Sequence, residues 1–229
     1  MTHSEENYLK AIYHLHQYGT KAISTNAIAE QMETKPSSVT DMIKKLSDKD
    51  LVHYKKYQGV SLTEKGKHVA LAVIRKHRLW ELFLVEKLNF SWDEVHEVAE
   101  QLEHIKSEKL IDQLDELLEY PQYDPHGDPI PGKNGELTER DKQLLSEIPP
   151  QTKATLVGVK DSSPSFLNFL DRNQMALGQE FTVLEVEAFD GSLQITHCGR
   201  ELRISHQVAT NMYMKIADPS PTKPVPDEG

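Results

Sequence analysis

The chain has 229 residues, 38% of them hydrophobic, and a formal net charge of −10, so it is long enough for one large domain or two small ones. Its longest apolar run, Val69 to Ile74, is too short to cross a bilayer, and no basic stretch followed by an apolar one opens the chain, which predicts a soluble protein without a membrane span. A single cysteine, Cys198, excludes an internal disulfide and makes a reducing, cytoplasmic setting the default.

The total charge hides an asymmetry. From Lys35 to Arg78, eleven Lys and Arg stand against four acids, a net of about +7, whereas Leu79 to Asp128 carries three bases against fourteen acids, about −11. A basic block suited to phosphates and an acidic block suited to cations imply two ligands of opposite charge.

In chain order, Glu5 to Tyr18 places Tyr8, Ile12 and Leu15 on a helical stripe that Gly19 closes. Thr25 then caps a short helix with Ala27, Ile28, Ala29 and Met32 inward. Lys35-Pro36-Ser37-Ser38 opens a second, with Val39, Met42, Ile43 and Leu46 at i, i+3, i+4 and i+7. Two short helices joined by a tight turn form a helix-turn-helix pattern. The outward residues of its second helix include Ser37, Ser38, Thr40, Lys44 and Lys45. The hydroxyls are suited to base edges or a phosphate, and the lysines to flanking phosphates. Val52 to Leu62 reads as a hairpin around Gln58-Gly59 with Lys56 near its tip, which completes a winged helix-turn-helix. A three-helix bundle with a hairpin and solubilising lysines is the alternative, and the local positive balance favours double-stranded DNA.

Lys65 to Leu88 reads as a long helix with His77 and Glu81 at i and i+4 on one face. Ser91 caps the next helix, expected to run to about Ile105, whose His96, Glu100, Glu103 and His104 share about a quarter of the circumference. Six nitrogen and oxygen donors on two helices can hold one or two divalent ions, and imidazole with carboxylate suits manganese, iron, cobalt or zinc. A solvated acidic face with two incidental histidines is the alternative. Ser107 opens a further helix whose Leu110, Ile111, Leu114, Leu117 and Leu118 form a wide apolar stripe, either a dimer interface or intramolecular packing. Tyr120 to Gly132 is too rich in proline and glycine for a regular element and marks a boundary. Beyond it, Thr155 to Val159, Glu180 to Val186, Ser192 to Thr196 and Glu201 to Ile204 alternate as strands of a small barrel. The proline-rich end lacks apolar residues and is expected to be disordered. The fold class is therefore mainly α with small β.

Several segments together resemble the metal-dependent transcriptional repressors that include the diphtheria toxin repressor and the manganese transport regulator. They are Glu6-Asn7-Tyr8-Leu9 with Ile12-Tyr13, Pro36-Ser37-Ser38-Val39-Thr40, Leu62-Thr63-Glu64-Lys65-Gly66, Arg75-Lys76-His77-Arg78-Leu79-Trp80-Glu81, Val95-His96, Glu103-His104 and Pro125-His126-Gly127-Asp128-Pro129-Ile130-Pro131. Gly191 to Leu202, with Ile195-Thr196-His197-Cys198-Gly199, looks like the SH3-like barrel of the longer members. The resemblance implies a winged helix-turn-helix DNA-binding domain at 1–72, a helical metal-binding and dimerisation domain at 73–131, a linker at 132–150, an SH3-like domain at 151–217 and a disordered tail at 218–229.

By the same resemblance, His77, Glu81 and His96 hold one ion, and Glu100, Glu103 and His104 with Asn7 hold its neighbour. Some members add ligands from the barrel, where Asp161 is the one candidate here. Asn7 stands where the family usually has Met or Asp, and Lys10 where manganese-type members place a Glu. Glu100 offers a hard oxygen where iron-type members have Cys, which favours Mn2+ over softer rivals, with Fe2+ as the alternative cofactor. The implied function is a homodimeric, metal-dependent repressor that binds a double-stranded DNA operator and controls metal-ion homeostasis genes, with no catalytic residues and no small organic substrate. The alternatives are a winged-helix regulator answering a non-metal signal, and a metalloenzyme, although Glu100 to His104 matches neither H-E-x-x-H nor H-x-x-E-H. Without metal, Glu81, Glu100 and Glu103 are expected to repel one another, and Glu103→Ala to remove a ligand while leaving the fold intact.

Overall fold

The computed structural model describes residues 1–17, 22–55, 58–138 and 140–217. Two units divide them: residues 1–125 with 129–139, and residues 126–128 with 140 onward.

In the first unit, α1 (His3–Gln17), α2 (Thr25–Gln31) and α3 (Pro36–Asp48) are followed by β1 (Val52–Lys55), β2 (Gly59–Leu62), α4 (Glu64–Leu88), α5 (Val95–Leu102) and α6 (Glu108–Leu117). Capping explains the starts. Thr2 Oγ1 accepts from the Glu5 amide at 3.3 Å while Glu5 Oε2 accepts from the Thr2 amide at 3.1 Å, a reciprocal capping box. Ser24, not Thr25, caps α2 by accepting from the Ala27 amide, because its extended backbone aims the hydroxyl back at the first turn. Pro36 opens α3, where its missing N–H costs nothing. The strands β1 and β2 pair antiparallel with Val52 opposite Leu62, and Ile23 joins Val60 through two 2.8 Å backbone bonds. This is a winged helix-turn-helix. Its core holds Leu9, Ile12, Ile28, Val39, Ile43, Leu46, Val60 and, from α4, Ala70, Leu71 and Ile74.

The 25 residues of α4 serve two cores. Past Ile74 the helix turns Leu79, Trp80 and Leu82 into a second cluster with Ala99, Ile111, Leu114, Leu118 and Ile130. His77 therefore lies at the junction between the two. Asn89 ends α4 in the left-handed conformation with φ +57°, and its amide bonds back to the Leu84 carbonyl. The next helix begins later than expected: residues 92–94 form a turn in which the Glu94 amide donates to the Ser91 carbonyl at 3.1 Å and the Ser91 amide donates to Glu94 Oε2 at 3.3 Å, and α5 runs only from Val95 to Leu102. The serine of α6 does cap as expected, Ser107 Oγ accepting from Leu110.

The second unit is an antiparallel six-stranded sheet in the order β3-β8-β4-β5-β6-β7. Its strands are β3 (Gln143–Leu144), β4 (Thr152–Val159), β5 (Glu180–Val186), β6 (Leu193–His197), β7 (Arg200–Ile204) and β8 (Met212–Ile216). A single 3-10 turn, Leu145–Glu147, follows β3, so part of the stretch expected as a linker is ordered, with Leu145 and Ile148 buried. The alternation argument missed α7 (Pro164–Arg172) and α8 (His206–Ala209), because both are short and period-2 reading passes over them. α7 packs Phe166, Leu167 and Leu170 inward. Asp161 accepts from the Ser163 amide at 2.8 Å, an Asx turn leading into α7. The proposed disordered tail from Asp218 and the wing-tip residue Lys56 lie outside the described residues.

Gly66 shows why the segment Leu62 to Gly66 has its composition. Thr63 Oγ1 caps α4 by accepting from the Gly66 amide at 3.0 Å and donates to the Asp50 carbonyl at 2.9 Å, which presses the helix against Leu51. A Cβ on Gly66 would lie 1.9 Å from the Leu51 carbonyl oxygen, a backbone atom that cannot swing aside. Gly66→Ala is expected to cost about 1–3 kcal/mol or more through overpacking. Urea unfolding followed by far-UV circular dichroism checks this, and a midpoint equal to wild type would disprove the close approach.

Candidate functional site

On α4, positions 77 and 81 are one turn apart, so His77 and Glu81 project together, and α5 brings His96 against them. His77 Nε2 lies 2.9 Å from Glu81 Oε1 and 3.2 Å from His96 Nδ1, and His96 Nδ1 lies 3.3 Å from Glu81 Oε1. One ligand atom from each of the three falls within 4.8 Å of the others. His77 and Glu81 are buried, whereas the side chain of His96 is 56% exposed, so this group opens to solvent on the α5 side.

The other nitrogen of His77 faces a second group. His77 Nδ1–H donates to Glu103 Oε2 at 2.6 Å, and Lys10 of α1 donates to the same oxygen at 2.6 Å while lying 3.9 Å from Glu100. Burial disfavours the imidazolium of His77, but the bonds to Glu103 and Glu81 outweigh it and raise its pKa. Burial likewise disfavours the Glu103 carboxylate, and His77 and Lys10 overcome it and lower its pKa. The expected mutual repulsion of Glu81, Glu100 and Glu103 is thus corrected. Lys10 and a hydrogen bond from His77 hold the Glu103 carboxylate, and the half-exposed Glu100 reaches His96 at 3.5 Å.

His104 is the member that stands apart. α5 ends at Leu102, Glu103 is its C-cap, and His104 follows, so these two do not continue the helix as expected. His104 Nδ1–H donates to Glu6 Oε2 at 2.6 Å, its ring stacks on His3 at 4.4 Å, and its Nε2 lies 3.8 Å from Glu103. Asn7, between Glu6 and Lys10, buries its Oδ1 with no hydrogen-bond partner. A pocket of about 280 Å³ lies beside it, bordered by Asn7, Lys10, His14, Glu33, Glu100 and Glu103. Burial, then the charges of Arg78, Lys10 and His77, push His14 down to about 4, so it is neutral at physiological pH.

Sequence reasoning missed Glu6 as the partner of His104 and Lys10 as the partner of Glu103. A signal was present: His3, Asn7, Lys10 and His14 recur at i, i+4, i+7 and i+11, a polar stripe beside the buried face formed by Tyr8, Leu9, Ile12 and Tyr13.

On α3, Ser37 and Ser38 are exposed, as are Lys44 and Lys45. Two of the expected contacts are already engaged. Thr40 Oγ1 donates to the Pro36 carbonyl at 2.9 Å, a back-bond within its own helix, and Lys45 pairs with Glu5 at 3.0 Å. Lys44 lies 3.7 Å from Asp41, an exposed pair of little strength.

A winged helix-turn-helix whose first helix shares a buried His/Glu/Lys network with α4 and α5 has the construction of a metal-responsive transcription regulator. Three family models match in succession: the iron dependent repressor N-terminal DNA binding domain over residues 1–60, the iron dependent repressor metal binding and dimerisation domain over residues 63–132, and the FeoA domain over residues 143–215. A solved manganese-dependent transcriptional repressor in complex with manganese is 32% identical with a TM-score of 0.84, covering 93% of this chain and 99% of that one. The manganese regulator SloR is 37% identical with a TM-score of 0.73, covering 95% of this chain and 100% of that one. The iron-dependent repressor IdeR of Mycobacterium bovis is 36% identical over 127 residues, 56% of this chain and 55% of that protein. The chain thus spans about 55% of the length of the curated relatives it matches first. It belongs to the iron-dependent repressor family of transcriptional regulators, built as a winged helix-turn-helix, a helical domain and an SH3-like sheet domain.

The network also revises the expected effect of Glu103→Ala. Glu103 is 1% exposed and its removal leaves Lys10, itself 12% exposed, without its closest counter-charge. The variant is expected to lose about 3–5 kcal/mol of stability in EDTA, as when one partner of a buried pair is deleted. Adding Lys10→Met should recover part of it. Chemical denaturation checks both, and a loss below about 1 kcal/mol, the range of an exposed pair, would show that the network is not buried.

Proposed function

We propose that the chain is a homodimeric, metal-dependent DNA-binding transcriptional repressor that controls metal-ion homeostasis genes in the cytoplasm, with Mn2+ (or Fe2+) as cofactor and no enzymatic activity. The observation that carries this reading is the convergence of His77, Glu81 and His96 within 4.8 Å, in the unit that also contains the winged helix-turn-helix.

The residues fit a divalent cation. Every donor is nitrogen or oxygen, as suits manganese or iron rather than a thiolate-selected ion, and the buried, unpartnered Asn7 Oδ1 is a further neutral oxygen in want of a positive partner. We assign His77, Glu81 and His96 to one ion, and Asn7, Glu100, Glu103 and His104 to a second. A bound divalent ion supplies the positive charge that lets several carboxylates converge on the α1 side of α5. At the second group Lys10 already supplies one such charge to Glu103, so that group is the weaker. Glu6 holds His104 by Nδ1, leaving Nε2 as the nitrogen available to a ligand position.

For DNA, Ser37 and Ser38 stand at the exposed start of α3, where short hydroxyls approach base edges, and Lys44 stands where it meets a phosphate. The exposed Leu110 and Leu117 of α6, with Leu88, support an apolar homodimer surface that would set two recognition helices about one or more helical turns apart.

The first test uses a duplex selected by the wild-type protein from a random-sequence pool. Binding should be about 5- to 150-fold tighter with Mn2+ than in EDTA, the range of ordinary allosteric coupling. His96→Ala, at an exposed position, should abolish the stimulation and leave the unfolding midpoint in EDTA unchanged. Equal binding with and without metal in the wild type would overturn the reading.

Metal choice is tested at Glu100, whose half-exposed carboxylate tolerates change. Glu100→Cys replaces a hard oxygen with a soft sulfur and should shift activation toward Zn2+ or Fe2+ relative to Mn2+. Anaerobic titration of each ion, read by fluorescence anisotropy of the duplex, gives the ratio. An unchanged or larger preference for Mn2+ would remove Glu100 as the selector.

A further inference from the structure

The first turn of α1 is bonded in two directions. Toward the metal cluster, Glu6 accepts from His104 at 2.6 Å, His3 stacks on the same ring at 4.4 Å, and Asn7, whose buried Oδ1 has no hydrogen-bond partner, borders the pocket that Glu103 also lines. Toward the DNA-reading helix, Glu5 is fully buried, with 0% exposure, and both its oxygens are taken. Lys49 donates to Oε1 at 2.8 Å and to Oε2 at 2.9 Å, Lys45 pairs with Oε1 at 3.0 Å, and the Thr2 amide donates to Oε2 at 3.1 Å. Lys45 lies in the last turn of α3 and Lys49 is its C-cap.

A carboxylate with no water contact and four hydrogen-bonding or ionic contacts is held in one place, because every alternative position forfeits a charge-assisted bond. The capping box fixes Glu5 to the helix start, and consecutive residues of one helical turn move together. A displacement of Asn7 or Glu6 is therefore carried to the end of α3 through the Glu5 carboxylate and the two lysine ammonium groups bonded to it. The lysines are about half exposed, so this contact is a tether at the rim of the recognition helix rather than part of its apolar core.

We propose that Glu5 is a positioning residue for DNA binding: it ties the recognition helix to the metal-bearing turn of α1, so that metal occupancy and DNA affinity are coupled through the Glu5–Lys45–Lys49 contact. The inference rests on the metal-dependent repressor reading above and assigns a route within it. It also gives Lys45 a role other than free phosphate contact. Glu5 touches neither the proposed ions nor the duplex, so its signature is a change in coupling alone. A purely structural role would weaken DNA binding in both metal states alike.

The test compares Glu5→Gln, nearly identical in shape but uncharged, with Lys49→Gln, which removes the principal donor from a half-exposed position. For full-length wild type and each variant, affinity for the selected duplex is measured in EDTA and in saturating Mn2+, and Mn2+ affinity is measured without DNA. The coupling ratio, DNA affinity with Mn2+ over that in EDTA, is expected to fall threefold or more in both variants. Affinity in EDTA and Mn2+ binding without DNA should change by less than threefold. The Glu5→Gln/Lys49→Gln double variant is expected to lose no more than Glu5→Gln alone. Coupling within threefold of wild type in both variants would overturn the inference. Where Glu5→Gln fails to fold, Lys49→Gln decides in the same way. A wild type with no metal stimulation at all would bring down the functional reading itself, whereas a stimulated wild type with equally stimulated variants brings down only the role of Glu5.

Discussion

The first unit depends on the neutralisation of one buried carboxylate. Glu103 is held between Lys10 of α1 and His77 of α4, each 2.6 Å away, with only 1% of its side chain exposed. Three separate segments meet through that one side chain: the first helix of the winged domain, the long helix shared by both cores, and the end of α5. Charged groups buried together gain stability only as a complete set, since deletion of any member leaves another unpaired. The same set makes the region responsive. His77 faces Glu103 with one nitrogen and the Glu81–His96 pair with the other, so whatever engages one face bears on the partners of the second.

Elements with strong local codes were legible in the sequence. The i, i+3, i+4, i+7 apolar run from Val39 to Leu46, opened by Pro36, specifies α3 because propensity, capping and burial agree there. The wing follows from Gly59, whose φ of +92° suits glycine and whose added Cβ would meet the Ile23 carbonyl at 2.9 Å. The His77/Glu81 pair was visible as helical spacing alone. Boundaries were less so. Ser91 looks like a cap, but a turn over residues 92–94 delays α5 and makes Glu94 its N-cap, without a side-chain cap bond. In the sheet unit, α7 escaped notice because Asp161 to Ser165 reads as a polar turn, and only the burial of Phe166, Leu167 and Leu170 against the sheet makes it a helix.

What could not be read from the sequence was partnership across long separations. Lys10 and Glu103 are 93 residues apart, Glu6 and His104 are 98, and Glu5 and Lys49 are 44. None belongs to a periodic pattern that names its partner. The polar stripe of α1 announces that His3, Asn7, Lys10 and His14 face something polar, yet the fold alone decides that they face α4 and the end of α5. Lysines are the extreme case. Lys44 and Lys45 are neighbours in sequence and alike in composition, but Lys45 turns to the buried Glu5 while Lys44 stays in solvent beside Asp41.

Whether the side chains gathered from α4 and α5 hold a divalent cation is read most directly by anomalous diffraction at the manganese absorption edge from crystals grown with Mn2+. The expected result is an anomalous peak within bonding distance of a nitrogen of His77, an oxygen of Glu81 and a nitrogen of His96. Manganese bound only elsewhere on the chain, with these three side chains still hydrogen-bonded to one another, would contradict it.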